Sequence, residues 1–163
     1  MNSQPLSLNT RLRAATCHFA SLAWVPIELT LSPLIKIVNR DLTWVGIARF
    51  YTPVVAMILA NLIVILLWKV NQKVHPFIDR SSRCATNFIL SSSLILIITS
   101  NLLGMTCGIP FYVKRAESAL ASSYLISLLL LIYAIFSIGG TIFTLGGKVA
   151  SYPLTVKFLS ETP

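Results

Sequence analysis

The nineteen residues from Phe50 to Trp68, FYTPVVAMILANLIVILLW, contain no charged side chain. Two further uncharged runs follow, from Cys84 to Val113 and from Ser118 to Gly147. An α-helix of about 20 apolar residues rises ~30 Å, which matches the hydrocarbon thickness of a bilayer. Such a helix pairs its backbone N–H and C=O groups internally, as the lack of water in lipid requires. The three runs therefore predict an integral membrane protein.

The composition agrees with a lipid environment. Of the 163 residues, 55% are hydrophobic and 11% are charged, and the mean hydropathy is +0.78. A soluble domain carries about 25% charged residues, so this deficit is too large for a water-soluble protein. We predict an all-α integral membrane protein with about four transmembrane helices. They form one domain over residues 11–147, between a polar N-terminal tail at 1–10 and an interfacial C-terminal tail at 148–163.

The first predicted membrane segment, from about Leu12 to Val38, differs from the others. Pro26 and Pro33 interrupt it, and each proline removes a backbone hydrogen bond from a helix. Glu28 lies near its middle, where a carboxylate is costly in lipid. The segment either spans as a kinked helix or lies at the interface, and we favour spanning. The remaining helices are predicted at about 47–70, 81–103 and 120–145.

The net charge of +8 is explained by the positions of the basic residues rather than by an acidic partner. Lysine and arginine flank the apolar runs, as membrane orientation requires, and form no basic face for nucleic acid. If four segments span, one side of the membrane holds eight of the 13 basic residues, Arg11, Arg13, Lys69, Lys73, Arg80, Arg83, Lys148 and Lys157. This excess predicts that both termini lie on the cytoplasmic-equivalent side.

No established catalytic or metal-binding pattern occurs in the sequence. HExxH, GxxxxGK[ST] and GxSxG are absent, and the three cysteines form no CxxC pair. His18 and His75 are possible haem or metal ligands, but they lie in unrelated settings, and packed or loop histidines are the commoner case. We therefore expect a protein that is not an enzyme and that carries no cofactor or metal.

Glu28, Asn61 and Asn87 are among the polar residues that fall inside the predicted membrane segments. One hypothesis is a small transporter or channel subunit in which these side chains line a weakly polar path. The alternative is that Asn61 and Asn87, with the serines of the third helix, hold neighbouring helices together through interhelical hydrogen bonds.

Three short motifs carry a resemblance to a known family. His75-Pro76-Phe77-Ile78-Asp79 follows the second helix, and Ala85-Thr86-Asn87-Phe88 opens the third. The C-terminal Tyr152-Pro153-Leu154-Thr155-Val156-Lys157-Phe158 and the spacing of Ala14 and His18 complete the pattern. Together they resemble small bacterial membrane domains of unknown function that are grouped with the plastid import component Tic-twenty.

This resemblance implies a non-enzymatic component of protein translocation or assembly, without a cofactor. Its partners would be the lipid bilayer and other membrane proteins, not nucleic acid. It also implies a multi-pass protein of a bacterial inner membrane, a thylakoid membrane or a plastid envelope. The motif residues His18, His75, Pro76, Phe77, Asp79, Asn87, Tyr152 and Pro153 would form its family-specific site. From the residues alone, the loop has a simpler explanation, with Asp79 or Ser81 capping the third helix.

Overall fold

The computed structural model describes the backbone of residues 6–38, 42–107, 116–153 and 155–159. Within these ranges, the structure describes the backbone but not the side chains of residues 35, 36, 38, 42–51, 103–107 and 116–123. The ends of both predicted tails (1–5 and 160–163) and the connections 39–41 and 108–115 lie outside these ranges. The side chains of the basic residues Lys36, Arg40, Arg49, Lys114 and Arg115 lie outside the described part of the structure.

The described residues form an all-helical fold, as predicted. A short helix α1 (Leu8–Ala20) continues through a 3₁₀ turn (Ser21–Ala23) into α2 (Trp24–Val38). Three long helices follow, α3 (Leu42–Asn71), α4 (Pro76–Cys107) and α5 (Ala116–Leu145). These helices begin four or five residues earlier than the sequence predicts, and α5 ends at the predicted residue.

Helix α1 begins and the first segment breaks for identifiable local reasons. The Ser7 hydroxyl accepts a hydrogen bond from the Thr10 backbone N–H at 3.2 Å, which caps the start of α1. The 3₁₀ turn between α1 and α2 ends three residues before Pro26. A proline at this position has no N–H for the Leu22 carbonyl, and its ring crowds that carbonyl. The continuous α-helix therefore stops, and α2 begins anew with Pro26 in its first turn, whereas Pro33 lies in the interior of α2.

Helix α5 ends in a glycine-dependent turn that directs the chain back towards the bundle. The Lys148 N–H donates to the Phe143 carbonyl at 3.1 Å, and the Gly147 N–H donates to the Thr144 carbonyl at 3.0 Å. This pair of bonds is a Schellman motif. It requires a left-handed residue, and Gly147 has φ +78°. The C-terminal tail, defined here as residues 148–159, starts from this turn.

Small residues bring the helices close together. Ala56 and Ala60 of α3 and Ala85 of α4 are fully buried between helices, and such residues let neighbouring helices approach closely in membranes. Asn61 of α3 donates to the Ser93 hydroxyl of α4 at 2.9 Å across this interface. The core also contains larger side chains from α2 to α5, namely Trp24, Met57, Val64, Phe88, Ile89, Leu96, Ile126 and Tyr133.

Among the described residues, three helices are long and apolar enough to cross a membrane: Thr52–Asn71, Pro76–Leu102 and Tyr124–Leu145. Large apolar side chains on their outer faces are exposed, including Leu62 and Leu66 of α3 and Ile135 and Ile142 of α5. Such faces are typical of helices surrounded by lipid. The prediction of a membrane protein is confirmed. Within the described residues, α1 has 13 residues and α2 has 15, each shorter than the ~20 that a span needs, and spanning by the whole first segment stays a prediction.

Candidate functional site at the C-terminal tail

A buried histidine joins the two ends of the chain. His18 of α1 is fully buried, and its Nδ1 shares a hydrogen bond of 2.5 Å with the Tyr152 hydroxyl in the tail. Its Nε2 shares a second bond of 2.9 Å with the Ser81 hydroxyl of α4. Ser81 in turn lies 3.3 Å from the Thr144 hydroxyl of α5. Because a hydroxyl donates or accepts, both ring nitrogens are satisfied in either tautomer of neutral histidine. We call these four residues and Gly140 the tail site.

Gly140 makes room for this arrangement. A Cβ atom at this position of α5 would overlap the Tyr152 hydroxyl and would lie 3.0 Å from His18 Nδ1. By contrast, a Cβ atom at the preceding Gly139 would meet no atom within 4 Å. Tyr152 therefore docks because α5 carries glycine at residue 140.

The tail site is uncharged at neutral pH. Burial lowers the pKa of His18, which lies in α1 outside the three membrane-crossing helices, from 6.5 to about 4. Burial also raises the pKa of the Tyr152 hydroxyl. His18 and Ser81 form a histidine–serine pair, but both are fully buried, which leaves a substrate no access to the hydroxyl. The described geometry is suited to holding the tail rather than to nucleophilic catalysis.

A stack of aromatic rings extends from the tail site into the core. Phe88 of α4 lies between Tyr152 and Tyr133 of α5. Its ring centroid is 4.1 Å from that of Tyr152, with 14° between the ring planes, and 5.0 Å from that of Tyr133, with 6° between the planes. Trp24 of α2 packs edge-on against Tyr133, with 6.3 Å between the ring centroids and 60° between the ring planes. Stacked and edge-on rings each contribute about 0.5–1.5 kcal/mol beyond their buried area. The stack therefore connects the tail to α2, α4 and α5.

The tail backbone beyond Tyr152 is held by side chains of α4. The Leu159 N–H donates to Asn87 Oδ1 at 2.9 Å, and Asn87 Nδ2 donates to the Leu159 carbonyl at 3.2 Å. The Val156 N–H donates to the Ser91 hydroxyl at 2.8 Å. Both α4 residues lie near the middle of the membrane-crossing stretch Pro76–Leu102, where non-helical backbone must be paired by protein. The predicted interfacial position of the whole tail stays a prediction.

The remaining motif residues organise the start of α4. His75 caps this helix, because its Nδ1 accepts from the Phe77 N–H at 3.1 Å, and Pro76 occupies the first helical position. Asp79 lies inside the first turns and is not the cap. It pairs with Arg83 at 2.7 Å and accepts from Trp68 Nε1 at 3.1 Å. The side chain of Pro153 is exposed.

The residues of the hypothetical polar path have separate partners. Asn61 bonds Ser93, Asn87 bonds Leu159, and the Glu28 carboxylate accepts from the Thr52 side chain. These contacts hold helices and tail together at three different places. Among the described residues, no group of three or more histidine, cysteine, aspartate or glutamate side chains is placed to hold a metal ion.

The sequence motifs include His18, Asn87 and Tyr152, but the sequence did not indicate that Ser81, Thr144 and Gly140 lie at the tail site. The adjacent glycines of α5 were the available signal, because a glycine inside a long apolar helix often marks a close approach of another group. The bond between His18 and Tyr152 joins residues 134 positions apart. Such a pairing has no local pattern in the sequence.

Comparison with known proteins supplies the family. The family model of the magnetosome magnetite crystal formation proteins, MamF/MmsF, matches residues 40–159, well over half of the chain. The matched range contains α3, α4, α5 and the docked tail, and it begins after α1 and α2. No curated protein and no solved structure matches the chain.

This match overturns the predicted resemblance to the Tic-twenty-like domains, and with it the predicted role in protein translocation. The alternative of a small transporter or channel is not supported either. The reason for the error is physical. The motifs that suggested the resemblance cap α4 and dock the tail, so they serve to hold this bundle together and carry no translocation function by themselves. The chain belongs to the MamF/MmsF magnetosome magnetite crystal formation protein family.

Proposed function

We propose that this protein is a non-enzymatic component of the magnetosome membrane that promotes the formation of magnetite crystals. The observation that carries the proposal is the family match over residues 40–159, which covers all three membrane-crossing helices and the tail. The closed tail site supports a role without catalysis, because its His18–Ser81 pair is buried. In this proposal, the protein promotes crystal formation as a structural component of the magnetosome membrane rather than by catalysing a reaction.

Deletion of the coding sequence in a magnetite-forming bacterium tests this function. The expected result is smaller or fewer crystals by electron microscopy, restored by the wild-type chain supplied in trans. A tagged chain should also copurify with isolated magnetosome membranes. Crystals of unchanged size and number in the deletion strain would refute the proposal, as would a tagged chain found only in other membranes.

The proposal includes an orientation of the chain. The first segment then crosses the membrane, and the start of α1, the α3–α4 connection and the end of α5 lie on the cytoplasmic side, which carries the larger share of the basic residues. This side includes Lys73, whose side chain is exposed.

A cysteine placed at each face tests the orientation. In a background with Cys17, Cys84 and Cys107 replaced by alanine, a membrane-impermeant maleimide should label Lys73→Cys on intact magnetosomes. Val113→Cys, in the opposite connection, should be labelled after detergent is added. The reverse pattern would show that the orientation is inverted.

A further inference from the structure

An apolar cavity of about 260 Å³ lies between α3, α4, α5 and the tail. Its α4 wall runs from Phe88 to Leu96, around the middle of the membrane-crossing stretch Pro76–Leu102. Pro153 and Thr155 of the docked tail form another wall. The cavity is larger than the ~150 Å³ apolar cavities that stay dry and take up small apolar molecules.

The polar atoms around this cavity are mostly occupied. The Ser91 hydroxyl accepts from Val156, the Tyr133 hydroxyl donates to the Ser21 carbonyl, and the Thr155 hydroxyl donates to the Tyr152 carbonyl. Ser92 is the remaining hydroxyl residue among the described lining side chains. A water molecule needs two to four polar partners to be stable in such a place, so the lining favours an apolar occupant.

The cavity opens towards the surrounding lipid. Ile95 of α4 and Ile132 and Phe136 of α5 line it. Their side chains are nevertheless 45%, 42% and 39% exposed on the outer surface of the bundle. At the middle of a bilayer, this surface faces acyl chains. The opening therefore admits a lipid chain from the side without displacement of a helix.

We propose that this cavity binds one acyl chain of a membrane phospholipid, which enters between α4 and α5 and packs against the docked tail. The chain fills the apolar space and contacts Phe88, Leu96 and Pro153. The tail is part of the binding site because Thr155 and Pro153 form its wall. This binding does not depend on the proposed role in crystal formation.

Photolabelling of the wild-type protein tests the proposal without any substitution. The full chain is reconstituted in vesicles of phosphatidylethanolamine and phosphatidylglycerol that contain a phospholipid with a diazirine at mid-chain. After irradiation, mass spectrometry of peptides should find adducts concentrated at Ser92, Ile95 and Phe136, several-fold above Leu62 on the exposed face of α3. Equal labelling of the cavity and of the α3 face would overturn the proposal.

A pair of matched substitutions provides the second test. Ser92→Phe fills the cavity, whereas Ser127→Phe adds the same ring on the exposed face of α5, outside the cavity lining. Native mass spectrometry in mild detergent should show one retained phospholipid per wild-type chain and per Ser127→Phe chain. Retention by Ser92→Phe should fall severalfold, because the added ring occupies the space into which the acyl chain packs.

Other occupants of the cavity would give different results in native mass spectrometry. A lipid-free dimer of the wild-type chain would show that a second copy covers the opening, and a lipid-free monomer would show an empty or hydrated cavity. Either result overturns the proposal. If Ser92→Phe fails to fold, Ser92→Leu replaces it, and the wild-type labelling pattern still decides.

Discussion

At the scale of single residues, the tail site depends on the absence of a side chain at Gly140. Gly140 leaves the space that the Tyr152 hydroxyl occupies beside His18, and its neighbour Gly139 has open space instead. The two glycines have the same helical environment but differ in what they face. Replacement of each by alanine therefore separates the intrinsic preference of a helix for alanine from the cost of displacing the tail.

Gly140→Ala should destabilise the folded protein by about 1–3 kcal/mol, because the added methyl group forces Tyr152 from its site. Gly139→Ala should be neutral or stabilising by up to about 1 kcal/mol, as expected for this change in a helix. Thermal unfolding in detergent, followed by circular dichroism, measures both. Equal stability of the two variants would show that Tyr152 does not occupy this space.

Because His18 is buried and neutral, the free energy of unfolding should depend on pH. Since burial lowers its folded pKa from 6.5 to about 4, the unfolded chain binds a proton between these values and the folded chain does not. The stabilisation by neutral His18 is fully present above pH 6.5 and is lost as the pH falls towards 4. The loss is of order 3 kcal/mol.

The matched variant for this effect is His18→Gln, which keeps hydrogen-bonding groups but does not titrate. The unfolding temperature of the wild-type protein should fall more steeply between pH 6.5 and 4 than that of the variant. Parallel curves for the two proteins would indicate that His18 is accessible to protons in the folded state.

At the scale of elements, the long helices were predictable and the tail was not. Charged residues and glycines bound the apolar runs, so α5 ends at Leu145, as predicted. The sequence predicts a start of α4 that is five residues too late, because the cap is His75, whereas serine, threonine, aspartate and asparagine are the residues expected there. The docking of the tail depends on contacts with α1 and α4 that are distant in sequence.

Asn87 should control how firmly the tail is held on α4. Asn87→Ala leaves the Leu159 N–H and C=O without their partner, at a cost of about 1–3 kcal/mol for each group. Hydrogen exchange at Leu159, measured by mass spectrometry, should then become at least roughly tenfold faster.

Asn101→Ala is the matched control, because Asn101 is exposed on the same helix and its side chain donates locally, to the Ile97 carbonyl at 2.8 Å. Exchange in the tail should be unchanged in this variant. A tail that exchanges equally fast in the wild-type protein and in Asn87→Ala would contradict the docked position.

At the scale of the whole molecule, the family-matched range and the preceding helices form one packed structure. The match starts at residue 40, yet α1 provides His18 for the tail site and α2 provides Trp24 for the aromatic stack. Ser21, between them, donates to the Ser137 hydroxyl of α5 at 2.9 Å. The all-helical membrane architecture followed from composition and apolar runs, whereas membership of the family followed from the match.

Crystal size in living cells tests the central claim most directly. Electron microscopy should compare a magnetite-forming strain that lacks this protein with the same strain carrying the wild-type chain, Gly140→Ala or Gly139→Ala. The proposed function predicts small or sparse crystals in the deletion strain and in cells with Gly140→Ala. It predicts normal crystals with the wild-type chain and with Gly139→Ala. A deletion strain with crystals of wild-type size and number would contradict the proposed function.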